Sequence, residues 1–204
     1  MNTYPQAFDA AVNHAMIYEV GAHWDSEALG VAEGLIDTKQ QRRAVGYVND
    51  PRDAGGETKF GVAKNANPDL NITTLTWEQA KEVYYRRYWL TAKCDRINEL
   101  SPRLAVLHFD GAVNHGVGRA AKFLQQAVHV SVDGAIGPGT LRALSTAISQ
   151  MGDIELCNVI CSLREQFYRD IVDAKPTQSV FLNGWLRRIN EMRDFTTDAD
   201  KSFD

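Results

Sequence analysis

The sequence predicts a mainly α-helical protein with one small lobe of loops or a short β-hairpin. Apolar residues recur at helical spacing through most of the 204 residues. Several of these stretches begin with residues that favour helix N-termini. The stretch 45–75 differs, because it is rich in Gly, Asn, Asp and Pro and therefore predicts loops and turns. Together these observations predict a helical body with one irregular lobe in the N-terminal half.

The segment before this lobe predicts two helices. Apolar side chains recur every four residues from Phe8 to Met16, which predicts a helix over residues 6 to about 19. A second, weaker helical pattern covers residues 27–44. It ends in a basic run over 39–43, which we expect to be a solvated helix face, with contact to an anionic wall or membrane as the alternative.

Helix-start signals recur after the lobe. Thr76-Trp-Glu-Gln79 has the capping-box pattern and predicts a helix that runs to about Trp89. Ser101-Pro102 combines a favoured N-cap residue with proline at the first helical position. Further helices are predicted over about 118–129, from Pro138 through Leu144, over 153–173, and from Phe181 to Met192, before a frayed tail from Thr196.

The composition is typical of a soluble globular protein. Hydrophobic residues make up 44% and charged residues 24% of the chain. The net charge of −4 argues against nucleic acid as a partner and against a polybasic membrane anchor. The sequence shows no signal peptide and no apolar run of about 18 residues, so we expect synthesis in the cytoplasm and no stable membrane insertion.

The cysteines and histidines predict neither a disulfide framework nor a metal site. The three cysteines are an odd and low count, and Cys157 and Cys161 are expected to be buried apolar side chains. His108, Asp110 and His115 do not share one helical face, which argues against zinc. We therefore expect no cofactor and no metal.

The loop region carries the most specific motif of the chain. Gly46-Tyr-Val-Asn-Asp-Pro51 is followed by Asp53-Ala-Gly-Gly-Glu-Thr-Lys-Phe-Gly-Val62. Together they resemble the active-site loop of the glycoside hydrolase 108 lysozymes, which are N-acetylmuramidases carried mainly by bacteriophages. Further stretches resemble the family's later helices and its C-terminal predicted peptidoglycan-binding region: Trp77–Trp89, Phe109–Gly116, Leu124–Gln126 and Val132–Leu141. The resemblance implies a mainly α, α+β lysozyme-like fold, with the hairpin lobe and the helical lobe flanking an active-site cleft.

The position of the proton donor is the main question that this resemblance leaves. Hydrolysis of a glycosidic bond requires a carboxylic acid and a second carboxylate. The family's acid precedes the loop directly, and there this chain has Ala44. Either the protein is inactive, or an insertion of about residues 22–45 splits the motif and Glu19, at the end of the first helix, is the acid. Glu33, which is also followed by glycine, is the rival.

The resemblance assigns roles to the site residues. Glu19 would donate the proton, the ionised Asp53 would position water or stabilise the cationic transition state, and Thr58 would hold the water. Glu57 is a weaker candidate for the acid, and Asp50 is an alternative to Asp53. By similarity to inverting phage lysozymes, we expect inversion. Five residues are candidates for substrate binding: Tyr47, Asn49, Trp89, Asn114 and His115.

The expected organisation is a catalytic part over 1–92, a peptidoglycan-binding-like part over 93–195 packed with the first as one globule, and a tail over 196–204. The expected function is that of a phage endolysin that cleaves the β-1,4 bond between N-acetylmuramic acid and N-acetylglucosamine. We expect a monomer that acts on bacterial peptidoglycan, leaving the host cytoplasm through a holin and reaching the periplasm and cell wall at lysis. The alternatives are a lytic transglycosylase and a non-catalytic cell-wall-binding or virion protein.

Overall fold

The computed structural model describes residues 4–20, 45–49 and 56–203. Apart from one hairpin and short 3-10 turns, the regular structure of this part of the chain is helical. The α-helices are α1 (Gln6–Glu19), α2 (Trp77–Tyr84), α3 (Cys94–Asn98), α4 (Pro102–His115), α5 (Val117–Ala127), α6 (Pro138–Met151), α7 (Asp153–Ala174) and α8 (Ser179–Thr197). A π-helical turn, Tyr85–Leu90, follows α2 directly.

Of the two predicted forms of the lobe, loops or a short hairpin, the structure shows a hairpin. Strand β1 (Thr58–Lys59) pairs antiparallel with β2 (Val62–Ala63). The two turn residues, Phe60 and Gly61, have φ angles of 53° and 72°. Two successive positive φ angles are characteristic of the tight turn that matches the twist of paired strands.

Two predicted helix starts are confirmed by their hydrogen bonds. At α2 the backbone N–H of Gln79 donates to the Thr76 hydroxyl at 3.2 Å, and the N–H of Thr76 donates to the Gln79 side chain at 2.9 Å. At α4 the N–H of Leu104 donates to the Ser101 hydroxyl at 3.2 Å. Each side chain satisfies a helix-terminal N–H that has no partner within the helix.

The described chain forms two compact units. The hairpin unit comprises Val12–Arg87, and the helical unit comprises Met1–Ala11 with Tyr88–Asp204. Glu19 and the hairpin belong to the first unit, whereas α3 to α8 belong to the second. The predicted domain boundary after residue 92 stays a prediction.

Trp89 lies in the core of the helical unit. Its ring packs between Phe8 and Phe109, with centroid distances of 5.5 and 6.0 Å, and all three side chains are fully buried. This placement corrects the expectation that Trp89 lines a substrate cleft, because a ring covered on all sides by core residues has no face left for a sugar. The aromatic ring instead contributes buried apolar surface to the fold.

A buried ionic cluster connects three helices of the helical unit. Asp110 of α4 accepts hydrogen bonds from Arg164 of α7 at 2.6 Å and from Arg188 of α8 at 2.9 Å. Asp110 is 0% and Arg164 is 1% exposed. Burial alone would raise the pKa of the Asp110 carboxyl, but the two guanidinium groups hold this pKa well below its usual range. Asp110 is therefore an ionised structural residue.

The C-terminal tail is docked, which corrects the prediction that it is frayed. The Arg103 guanidinium donates to the carbonyl oxygens of Thr196, Asp198 and Lys201. Phe203 is 4% exposed and packs against Phe195 with centroids 5.4 Å apart. The prediction rested on the polar composition of the tail and was wrong because one arginine from α4 satisfies the backbone carbonyls of the tail.

Among the described helices, none is long and apolar enough to cross a membrane.

Candidate active site

Glu19 is the last residue of α1 and lies against the turn of the hairpin. A Cβ atom placed on Gly61 would lie 3.2 Å from the Glu19 Cβ and 3.5 Å from its carboxylate Oε2. Glu19 is exposed. The structure thus brings together the end of the first helix and the hairpin that carries Thr58.

The segment 45–49 contacts both the end of α1 and this hairpin. A Cβ on Gly46 would lie 3.4 Å from the Val20 Cα, so the chain after residue 45 begins beside the point where α1 ends. The N–H of Phe60 donates to the Val45 carbonyl at 2.8 Å, and Val48 pairs with Thr58. If about residues 22–45 are an insertion, the residues on either side of it must lie next to each other. The contact of Gly46 with Val20 meets this requirement. Asp53, Asp50 and Glu33 lie outside the described residues, as does most of the predicted insertion.

Thr58 is held in β1. Its hydroxyl donates to the Gly56 carbonyl at 3.2 Å. The neighbouring Lys59 is 2% exposed, and its burial lowers the pKa of the ammonium group. Since side chains alternate along a strand, the buried Lys59 leaves Thr58 on the opposite face, where it is partly exposed.

Glu57 ties the segment 45–49 to the lobe. Its carboxylate accepts hydrogen bonds from the hydroxyls of Thr73 at 2.6 Å and Tyr47 at 2.7 Å. The Thr73 hydrogen bond contributes most to lowering the pKa of Glu57. A carboxylate held in its ionised form is a poor proton donor, so Glu57 acts as a structural acceptor.

The other candidate binding residues are distributed over both units. In the hairpin unit, Asn49 is exposed, and the pKa of the Tyr47 hydroxyl is raised chiefly by its hydrogen bond to Glu57. In the helical unit, Asn114 donates to the Tyr168 hydroxyl at 2.6 Å. Burial lowers the pKa of His115 to about 3, so this imidazole is neutral at physiological pH.

Tyr84 is a residue of the site that the sequence patterns did not single out. It is 3% exposed, and its hydroxyl donates to the Phe60 carbonyl at 3.1 Å. The same hydroxyl is the nearest atom to a Cβ placed on Gly61. Tyr84 therefore fixes the turn against which Glu19 lies. The sequence signal for it was a tyrosine on the apolar face of α2, where a buried hydroxyl requires a polar partner.

We expect Gly61→Ala to destabilise the protein by about 1–3 kcal/mol and to reduce its activity strongly. Alanine is strained at a φ of 72°, and its methyl group would overlap the Tyr84 hydroxyl and crowd the Glu19 side chain. Urea unfolding and a cell-wall lysis assay measure the two effects.

Gly118→Ala in α5 is the matched control. No described atom lies within 4 Å of a Cβ at Gly118, so alanine there should be neutral or slightly stabilising. Adding Tyr84→Phe to Gly61→Ala removes the overlapping hydroxyl and should restore part of the stability. Equal urea midpoints for Gly61→Ala and the wild type would contradict the assigned contact.

No group of three or more His, Cys, Asp or Glu side chains in the described ranges could hold a metal ion. In the described ranges the site therefore comprises the exposed residue Glu19 and the Thr58 hydroxyl, which lies on strand β1 of the hairpin whose turn Glu19 contacts. A carboxylic acid that a substrate can reach is suited to general acid catalysis.

Two family models match successive parts of the chain. Residues 33–116 match Glycosyl hydrolase 108, and residues 119–190 match Predicted Peptidoglycan domain. The first match begins at Glu33, so Glu19 lies ahead of it. No curated protein matches the chain.

A solved structure is similar to most of the chain. It is described as the structure of Brucella abortus SagA, and it aligns with a TM-score of 0.58 and 24% identity over 85% of this chain and 93% of that one. At this identity the likeness concerns the fold, and it confirms the predicted mainly α, lysozyme-like class.

Proposed function

Because this chain belongs to the glycoside hydrolase 108 family, with a peptidoglycan domain after the catalytic part, we propose that it hydrolyses one particular bond of peptidoglycan. This is the β-1,4 bond between N-acetylmuramic acid and N-acetylglucosamine. The observation that carries the proposal is the contact of Glu19, at the end of α1, with the hairpin turn at Gly61. The loop motif contains Asp53 and Thr58 but no proton donor. The Glu19 carboxyl would supply this donor.

The proposed reaction uses Glu19 as the general acid. Its carboxyl donates a proton to the glycosidic oxygen as the bond from that oxygen to the anomeric carbon breaks. The sugar then develops oxocarbenium character. Asp53 accepts a proton from the attacking water, and Thr58 orients this water by a hydrogen bond. The role of Asp53 rests on its position in the loop motif, and inversion at the anomeric carbon is the expected outcome.

The exposure of Glu19 is compatible with this role. The acid must reach an oxygen that lies between two bulky sugars, so it has to be open to the solvent before the substrate binds. A bound glycan would displace water from the carboxyl, and loss of water favours the neutral, proton-donating form. Glu57, which two hydroxyls hold ionised, offers no comparable proton.

The biological setting that we propose is lysis of a bacterial host by a phage endolysin. The protein would be made in the host cytoplasm and would reach the cell wall as a monomer after a holin opens the membrane. The support for this is the similarity of the loop motif to phage-borne lysozymes.

Product analysis tests the proposed bond and the proposed reaction together. Purified peptidoglycan would be digested with the full chain, reduced with borohydride and analysed by mass spectrometry. We expect new reducing ends on N-acetylmuramic acid. Products with 1,6-anhydro ends would indicate a lytic transglycosylase, new reducing ends on N-acetylglucosamine would indicate the other glycosidic bond, and binding without any cleavage would indicate a non-catalytic wall protein.

A further inference from the structure

A column of stacked rings runs outwards to the surface of the helical unit. His115 lies 5.2 Å from Tyr168, Tyr168 lies 5.0 Å from Trp185, and Trp185 lies 5.9 Å from Phe181, measured between ring centroids. The interplanar angles are 33°, 20° and 26°, so His115 is tilted against Tyr168 and the two outer pairs of rings are stacked. Phe181, at the outer end, is 52% exposed.

The inner end of this column is held rigidly. Asn114 donates to the Tyr168 hydroxyl at 2.6 Å. The rings of Phe123 and Phe167 pack against His115 with centroids 5.3 and 5.8 Å away. Because the inner rings are fixed, the plane of the outermost ring is set before any ligand arrives, which lowers the entropic cost of binding on it.

Gly184 leaves bare backbone beside the outer rings. It lies within α8, three residues after Phe181 and directly before Trp185. Apart from its two chain neighbours and the backbone of its own helix, no described atom is within 4 Å of a Cβ placed there, and its φ is not in the left-handed region. A glycine inside a helix costs about 1 kcal/mol relative to alanine. Neither packing nor backbone conformation explains this cost, which suggests that the open surface itself is used.

We propose that Phe181, Gly184 and the edge of Trp185 form an accessory binding site for one sugar ring of the glycan strand. The apolar face of an N-acetylated pyranose would stack on Phe181, and its acetamido group would lie in the recess above Gly184. All three residues fall in the range 119–190 that matches the peptidoglycan domain. The inference rests on the proposed function only in that the ligand is the same polysaccharide.

A sugar fits this surface better than a second copy of the chain does. The apolar strip on α8 consists of the exposed Val180 and Phe181, the exposed Gly184 and the half-buried Trp185. A stable protein interface needs about 20–30 residues on each side, whereas a single pyranose ring needs a flat aromatic face and a shallow recess.

Co-sedimentation with purified, intact peptidoglycan tests the proposal. The full chain would carry Glu19→Gln so that the wall stays intact, and it would be compared with and without Phe181→Ala. Stacking on one aromatic ring contributes about 0.5–1.5 kcal/mol, so we expect a two- to tenfold weaker binding constant. Gly184→Gln should also weaken binding while raising the urea midpoint, which separates loss of binding from loss of folding. Met151→Ala in α6, at a residue that is 43% exposed and lies on another helix, should leave binding unchanged.

The outcomes separate this inference from the proposed function. Soluble N-acetylglucosamine oligomers should displace the protein from the wall. Equal binding with and without Phe181→Ala would overturn the inference, as would competition by stem peptides alone. A dimer in light scattering that Phe181→Ala dissociates would also overturn it, since the strip would then bind a second copy. Binding that depends on Phe181 in a protein that releases no reducing ends would overturn the proposed hydrolase and leave the binding site in place.

Discussion

Glu19→Gln is expected to slow cell-wall lysis by about 10²–10⁴-fold, the range that a positioned general acid contributes. Glutamine preserves the size of the side chain and its contact with the hairpin turn at Gly61 but carries no acidic proton. Because Glu19 is exposed, the substitution should leave the free energy of unfolding within about 0.5 kcal/mol of the wild type. The rate of turbidity loss on purified cell walls is the measurement.

Glu33→Gln and Glu57→Gln are the matched variants. Glu33 is the first residue of the matched glycosyl hydrolase range, which makes it the serious rival. We expect Glu33→Gln to retain most of the activity and Glu57→Gln to lower stability, because the Thr73 and Tyr47 hydroxyls then lose a charged acceptor. Full activity in Glu19→Gln together with loss of activity in Glu33→Gln would show that the acid assignment is wrong.

Asp110→Asn is expected to produce the largest loss of stability, about 3–5 kcal/mol. The carboxylate is the shared partner of Arg164, which is 1% exposed, and of Arg188. Without this charge, the buried Arg164 guanidinium loses its ion-pair partner, and Arg188 loses one charged acceptor. Urea unfolding at neutral pH, followed by circular dichroism, measures the free energy of unfolding.

Glu99→Gln is the surface control. The pair of Arg96 and Glu99 has side chains that are 56% and 62% exposed, and exposed pairs of this kind contribute about 0–1 kcal/mol. A loss of less than about 1 kcal/mol in Asp110→Asn would contradict the structural role of the buried cluster.

The lowered pKa of Asp110 also determines how its contribution to the free energy of unfolding changes with pH. The folded-state pKa lies below the value of 3.8 taken for a free aspartate, so the stabilisation is complete above that value. It is lost as the pH falls through the folded-state pKa, because the unfolded chain then binds the proton more readily. Asp110→Asn should remove this contribution to acid unfolding.

Local patterns in the sequence predicted most helices and an irregular lobe of loops or a short hairpin. The capping box at Thr76 and the N-cap at Ser101 each act through hydrogen bonds within a few residues. Such signals can be recognised in the sequence because the interacting groups are near neighbours in the chain. The π-helical turn over Tyr85–Leu90 departs from the simple helix predicted there, and no local signal distinguished it.

The candidate site could be predicted only in part. The loop motif identified the family and pointed to Thr58, and the pattern of a helix ending in Glu pointed to Glu19. The motif could not reveal Tyr84, whose role depends on its reaching Phe60, 24 positions earlier in the chain. It also placed Trp89 at a substrate surface, although the structure buries this ring between Phe8 and Phe109.

The sequence by itself determined the helical class, the capped helix starts, the irregular lobe and the resemblance to the family, because each depends on residues close together in the chain or on a contiguous motif. Only the tertiary structure decided which side chains meet across long separations. It placed Glu19 against Gly61, joined Asp110 to Arg164 and Arg188 over 54 and 78 positions, and docked the tail on Arg103. The physical reason is that burial and charge pairing depend on the complete set of packed neighbours, which a local pattern does not contain.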